Sequence, residues 1–268
     1  MEKSLLNNGF IEKIDTDEVQ SSNTKLHYIP HHPVKKDSAK TPIRIVYHCS
    51  CRQTPDSPSL NDCLLNVPSK INDVTAILLR FRMNKYAMST DIEKAFLNVG
   101  LDEEDRNVTR FFWLSNPTDP SSNLTTYRFT SILFGAMCSP FMLNAVLSKH
   151  LKNNHCDFTD NLTRDLYVDN IVSSYNSEEK LSKYFKVTRT LFAAGGFNLH
   201  SWASNSKVLQ ELATSENVLD NDHLVKILGM RWDTDKDTIG FASPDLIDFE
   251  QFNTKREVLD SHPGHMIP

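Results

Sequence analysis

The order of elements in this chain predicts an α+β fold: a ferredoxin-like antiparallel sheet backed by helices. Three observations carry that reading. From Tyr86 to Trp202, with the elements within about 103–138 set aside, the apolar patterns run strand–helix–strand–strand–helix–strand. The two middle strands meet in Leu166-Tyr167-Val168-Asp169-Asn170-Ile171-Val172, where Asp169 and Asn170 are the residue types that tolerate the positive φ of a two-residue hairpin turn. The following segment opens on Ser177 with Glu178-Glu179 behind it and stops at Gly195-Gly196, the start and stop signals of a long helix.

The remaining elements follow in order. Residues 1–24 predict an amphipathic helix carrying Leu5, Leu6, Phe10 and Ile11, then a polar linker. Leu26 to Val34 reads as an extended edge strand marked by Pro30 and Pro33. Its His31-His32 pair points to opposite faces of such a strand, which favours a structural role over a metal site. Lys35 to Lys40 is a polar turn and Ile43 to Tyr47 an alternating strand, so the two strands make a hairpin with a basic tip. Residues 59–84 predict two helical pieces separated by Pro68, the second with Ile71, Val74, Ile77, Leu78 and Phe81 on one face. Tyr86 to Ile92 is a strand that ends in the carboxylate of Asp91. A short helix near Asp102–Arg106, strands over Val108–Leu114 and Leu124–Leu133, and a helix capped by Ser139 with Pro140 in its first turn follow. After Gly196 come a strand (Phe197–Trp202), a short helix (Ser206–Leu212) and the stretch Val225–Trp232.

Composition narrows the function classes. With 268 residues, 39% hydrophobic content and mixed charge, the chain has the makings of a folded core. No apolar run approaches the roughly 18 residues of a membrane span, and the N-terminus has no signal-peptide core, so an intracellular setting, cytoplasmic or nuclear, is expected, with no membrane partner. Five cysteines without repeated spacing predict free thiols, and Cys49-Ser50-Cys51 is too closely spaced for a zinc knuckle. The net charge is −5, yet Lys25, Lys35, Lys36, Lys40, Arg44 and Arg52 share a stretch with one acid, Asp37. Such a basic face suits phosphate contact.

Two carboxylates far apart in the chain, one closing a strand and one on a hairpin, are what a two-metal nucleotidyl transferase needs. At this point four ordered motifs resemble those of reverse transcriptases, in particular the polymerase of BEL/Pao-type LTR retrotransposons. They are Ser89-Thr90-Asp91-Ile92-Glu93-Lys94-Ala95-Phe96, Phe134-Gly135-Ala136-Met137-Cys138-Ser139-Pro140, Tyr167-Val168-Asp169-Asn170 and Gly196-Phe197-Asn198-Leu199. The resemblance runs over roughly residues 5–258.

It implies a right-hand polymerase: an N-terminal helix and linker (1–24), fingers (25–84), palm (85–242, with fingers elements within about 103–138) and a truncated start of the thumb (243–268). It implies a fragment of, or a decayed copy from, a retroelement polyprotein whose protease, RNase H and integrase lie outside this chain. By resemblance, Asp91, Asp169 and Asn170 are the catalytic set. Asp91, Asp169 and the Ile92 carbonyl hold two Mg²⁺ ions, with Mn²⁺ as substitute. Arg44 with Lys35 or Lys36 grips the triphosphate of a dNTP. Phe134 and Gly135 pack on the nascent pair, and Phe96 gates against a 2′-hydroxyl, with a plain core residue as the other reading. Gly229, Met230 and Trp232 grip the primer on an RNA or DNA template. Three positions depart from the family pattern. Asn170 replaces a second Asp. His200-Ser201 replaces Arg-Lys, which makes His200 a candidate proton donor in place of the lysine. His48 stands where an acid is usual. A catalytically silent, retroelement-derived protein with at most nucleic-acid binding is the alternative. An RNA-binding α+β domain of RRM type fits less well, because the strand ends carry acids.

Overall fold

The computed structural model describes residues 2–14, 25–35 and 43–241. The expectations for the linker, for Lys36 and the rest of the basic tip, and for the start of the thumb lie outside these residues.

The central sheet is built from β4 (Tyr86–Ile92), β7 (Leu166–Tyr167), β8 (Asn170–Tyr175) and β9 (Leu199–Ser204), in the order β7-β8-β4-β9, with every pairing antiparallel. Taken in chain order, these four strands occupy the ferredoxin-like positions, with the first and third at the centre. β4 and β8 are almost wholly buried because both faces of the sheet are covered. On one face lie α5 (Ser139–Asn153), α6 (Thr159–Asp165) and α7 (Glu178–Ala194), enclosing a core with Met88, Ile171, Leu143, Tyr184 and Phe185. On the other lies α3 (Val74–Arg82), whose Ile77 and Phe81 meet Ala87, Val172 and Ala203.

A second, smaller core belongs to a three-stranded sheet of β1 (Ile11–Lys13), β6 (Leu124–Phe129) and β5 (Arg110–Leu114), in the order β1-β6-β5. The ribbon of β2 (His31–Lys35) and β3 (Ile43–Tyr47) packs on it through Tyr47, which sits edge-on to Phe111 and Phe129. His31 stacks on Trp113 with centroids 5.1 Å apart, while its neighbour His32 stacks on His48 instead. A third sheet, β10 (Leu224–Ile227), β11 (Met230–Asp233) and β12 (Thr238–Phe241), closes the far side of α3, where Trp232 is fully buried against Phe81.

Several local expectations are corrected. The first helix, α1, covers only Glu2–Asn7. Gly9 has φ +71, and the amides of Gly9 and Phe10 bond back to the carbonyls of Leu6 and Leu5, a Schellman ending that frees Phe10 and Ile11 to leave the helix. Ile11 then pairs with Phe129 in the second sheet. The strand expected over Leu26–Val34 begins at His31. Ile71 lies outside α3, which starts after the Asp73 cap. The strand expected to reach Leu133 ends at Phe129. Ser139 is not the cap of α5; Cys138 holds that position, because the Ser139 hydroxyl is buried and donates to the Leu133 carbonyl at 2.8 Å. The hairpin turn is displaced by one residue. Tyr167 pairs with Asn170, so the loop is Val168-Asp169, and the positive φ (54°) falls on Val168.

Candidate active site

The strand pairing brings the two separated carboxylates together. Asp91 is the register partner of Asn170 on β8 and of His200 on β9, and the Ile92 amide donates to the Asp169 carbonyl at 2.7 Å. The hairpin turn is thus tied to the end of β4. Val168, a β-branched residue in the left-handed region, packs its side chain on the main core while its backbone carries strain. On the other side a bulge interrupts the β4–β9 register between Ser89 and Asp91, and Ser201 takes φ +52 there. The Thr90 hydroxyl secures the bulge by donating to the His200 carbonyl at 2.8 Å.

Both carboxylates are pushed above the usual aspartate range, first of all by burial. The charge of Asp169 pushes Asp91 further in the same direction, while the Ser201 hydroxyl and His200 oppose the shift. For Asp169 the opposing contacts are its backbone, the Asn170 side chain and the charge of Arg44. Asn170 Nδ2 donates to Asp169 Oδ1 at 2.8 Å. His200 Nδ1 lies 3.1 Å from Ser201 Oγ.

Asp91, Ile92 and Asp169 line a cleft of about 470 Å³ with Arg44, Tyr47, Lys94 and Phe134 among the other walls. The Arg44 guanidinium stands 5.0 Å from the centre of the Phe134 ring. Phe96 does not line the cleft. It is 5% exposed, joins the main core and meets Phe134 edge-on with centroids 4.4 Å apart. Gly135 has φ +100, and a Cβ there would lie 2.8 Å from the Tyr47 carbonyl oxygen, so no other residue fits without a shift. Asn61 fixes this loop by donating to the Gly135 carbonyl at 3.0 Å and accepting from the Met137 amide at 2.9 Å.

Lys35 is exposed on β2 opposite Ile43 and is not among the cleft residues. Gly229 forms the β10–β11 turn with Leu228, both at positive φ. Met230 is half-buried beside it, whereas Trp232 faces inward and donates its indole N–H to Asp237 at 3.0 Å. Trp232 therefore anchors this hairpin from within. Sequence reasoning gave no role to Lys94, Tyr47 and Asn61, and took Ser201 only as half of the departure from Arg-Lys. Lys94 had a visible signal, lying three positions beyond Asp91; the other three are placed by tertiary contacts.

Among the described residues no group of three or more His, Cys, Asp or Glu is placed to hold a metal ion. The pair of half-buried carboxylates nevertheless fits a hard divalent cation. Its donors are oxygens, and each charge is costly to keep without a counterion. No helix among the described residues is long and apolar enough to cross a membrane.

The family model for reverse transcriptase (RNA-dependent DNA polymerase) matches residues 38–230. Among solved structures, the foamy viral protease-reverse transcriptase in complex with RNA/DNA hybrid is similar at a TM-score of 0.58 and 16% identity, over 100% of this chain and 27% of that one. The same protein with dsDNA gives a TM-score of 0.57 at 18% identity, over 100% of this chain and 43% of that one. The native prototype foamy virus enzyme gives 0.56 at 16%, over 90% and 25%. At these identities the likeness is one of fold, and the chain spans less than half the length of each of these structures. No match is found among curated proteins. With its ordered motifs and its ferredoxin-like sheet carrying Asp91 beside Asp169, the chain belongs to the reverse transcriptase family.

Proposed function

We propose that this chain is the fingers–palm unit of an RNA-directed DNA polymerase from a BEL/Pao-type LTR retrotransposon, adding dNTPs to a primer 3′-hydroxyl on an RNA or DNA template. The observation that supports it most is the placement of Asp91 and Asp169 together in a cleft that also holds Arg44. The β2–β3 ribbon and β5–β6 sheet serve as fingers, and the central sheet as palm.

Asp91, Asp169 and the Ile92 carbonyl would hold the metal ions, which when bound would supply a lowered pKa for the attacking hydroxyl and countercharge for the triphosphate. The chain's own part is orientation. The turn fixed by Ile92 directs Asp169, and the Asn170 amide holds one of its carboxylate oxygens. Arg44, steadied over Phe134, receives phosphate oxygens. Phe96 supports the ring of Phe134 from the core, so its influence on sugar selection passes through that ring. His200, the register partner of Asp91, is the candidate proton donor. The hairpin of Gly229 and Met230 meets the primer end.

Asn170 favours a second reading, a catalytically silent retroelement-derived protein. Its amide supplies a donor where a further carboxylate would supply charge, which weakens the hold on two dications. Primer extension on an RNA template with Mg²⁺ or Mn²⁺ separates the two. A live polymerase extends, loses extension in Asp169→Ala and gains in Asn170→Asp. Absence of extension in every folded variant, including one with a thumb added, would establish the silent reading.

A further inference from the structure

The polymerase reading leaves one charged wall of the cleft without a task. Arg44 and Lys94 are the cations among the cleft residues, and the carboxylates of Asp91 and Asp169 share the same space. A polyanion entering such a space is repelled by the carboxylates and must find its cations on the walls.

Lys94 is held in a way that an ordinary surface lysine is not. The Glu93 amide donates to the Asn198 carbonyl at 2.9 Å, and Asn198 Nδ2 donates to Glu93 Oε2, also at 2.9 Å. The other oxygen of that carboxylate, Oε1, lies 3.4 Å from Lys94 Nζ. The ammonium also stands 5.8 Å from the Phe10 ring. A clamped carboxylate therefore steers the ammonium. The pair is loose and its two side chains are 45% and 43% exposed, so it adds little stability and is easily exchanged for a stronger anion. The backbone agrees with a functional placement. Lys94 has φ +51, a left-handed conformation that strains a residue with a Cβ and that glycine takes freely.

We propose that Lys94 is a second binding cation for the triphosphate of the incoming nucleotide, acting with Arg44 and steered by Glu93 and Asn198. This rests on the polymerase reading and adds to it a residue that recognises substrate.

The test uses the full chain with dTTP in Mg²⁺ buffer, followed by calorimetry and by steady-state extension. Lys94→Gln should weaken dTTP binding, and raise its KM, by about tenfold, the size of one lost charge-assisted contact, with kcat changed less. Thymidine monophosphate, lacking the outer phosphates, should bind both forms alike, and Lys94→Arg should restore dTTP binding. Lys94→Gly is the sharper variant. It should melt at or above the unaltered chain because the backbone strain is relieved, and still bind dTTP about tenfold more weakly. Equal dTTP affinity in the unaltered chain and Lys94→Gly would overturn the proposal. If the unaltered chain extends primers, Asp169→Ala does not, and Lys94→Gln matches the unaltered chain in KM, the role of Lys94 falls while the polymerase reading stands. If the unaltered chain binds no dTTP, both fall.

Discussion

Asp91 carries the tension between stability and chemistry at this site. Its pKa, like that of Asp169, is raised in the fold, chiefly by burial. An acid so shifted favours folding in its protonated form. That contribution is complete below the unfolded-state pKa and is lost as the pH rises through the folded-state value. At neutral pH both ionised carboxylates therefore weigh against the metal-free fold. Asp91→Asn should raise the melting temperature at pH 7 without divalent ions by roughly 3 °C, and the gain should shrink as the pH falls toward the carboxylate range. Thermal melts across pH check this; a lower Tm for Asp91→Asn at pH 7 would contradict it. Gly135 is the second residue with a defined cost. Gly135→Ala meets both a φ of +100 and the Tyr47 carbonyl, and should lose about 1–3 kcal/mol in chemical denaturation.

Elements were legible in the sequence where a periodic pattern and a local stop signal coincide. The long helix α7 starts at Ser177 and ends in a Schellman turn at Gly196, as Ser177 and the glycine pair foretold. The hairpin was found, but its turn was misplaced by one residue. Val168 is a poor choice on propensity, and it is held at positive φ by the pairing of Asp91 with Asn170 and by the Ile92–Asp169 bond. Ser139 misled in the same way, because a long-range bond to Leu133 outbids local capping. The carboxylate pair was readable from motif order. The neighbours that tune it were less so, since Ser201 faces Asp91 only through a bulge. Packing ranks the contacts of the third sheet. Trp232→Ala should cost about 3–5 kcal/mol and release the β10–β12 sheet from α3. Arg82→Ala, which removes a two-pronged but exposed ion pair with Asp237, should cost no more than about 1 kcal/mol. Denaturant melts of both variants give the comparison, and equal losses would refute the ranking.

At the scale of the molecule, the three separate cores among the described residues imply unequal resistance to opening. The main core spans the sheet and three helices, whereas the second depends on three short strands and a ribbon. Amide hydrogen exchange should therefore show β5 and β6 exchanging well before β4 and β8. Deleting residues 2–14 should accelerate exchange in β6 further while leaving β8 protected, because β1 supplies one edge of that sheet alone. Uniform exchange over both regions would mean that the molecule opens as one unit.

The pairing of β1 with β6 also has a consequence for biosynthesis. Ile11 finds Phe129 across more than a hundred intervening residues, so β1 must wait on the ribosome while that length is translated. Its partner is complete at Phe129, well before β8 and β9, on which the central sheet depends, have been made. The smaller, weaker core can thus close before the central one. Until it does, Ile11 and Ile14 are exposed to whatever the growing polypeptide meets.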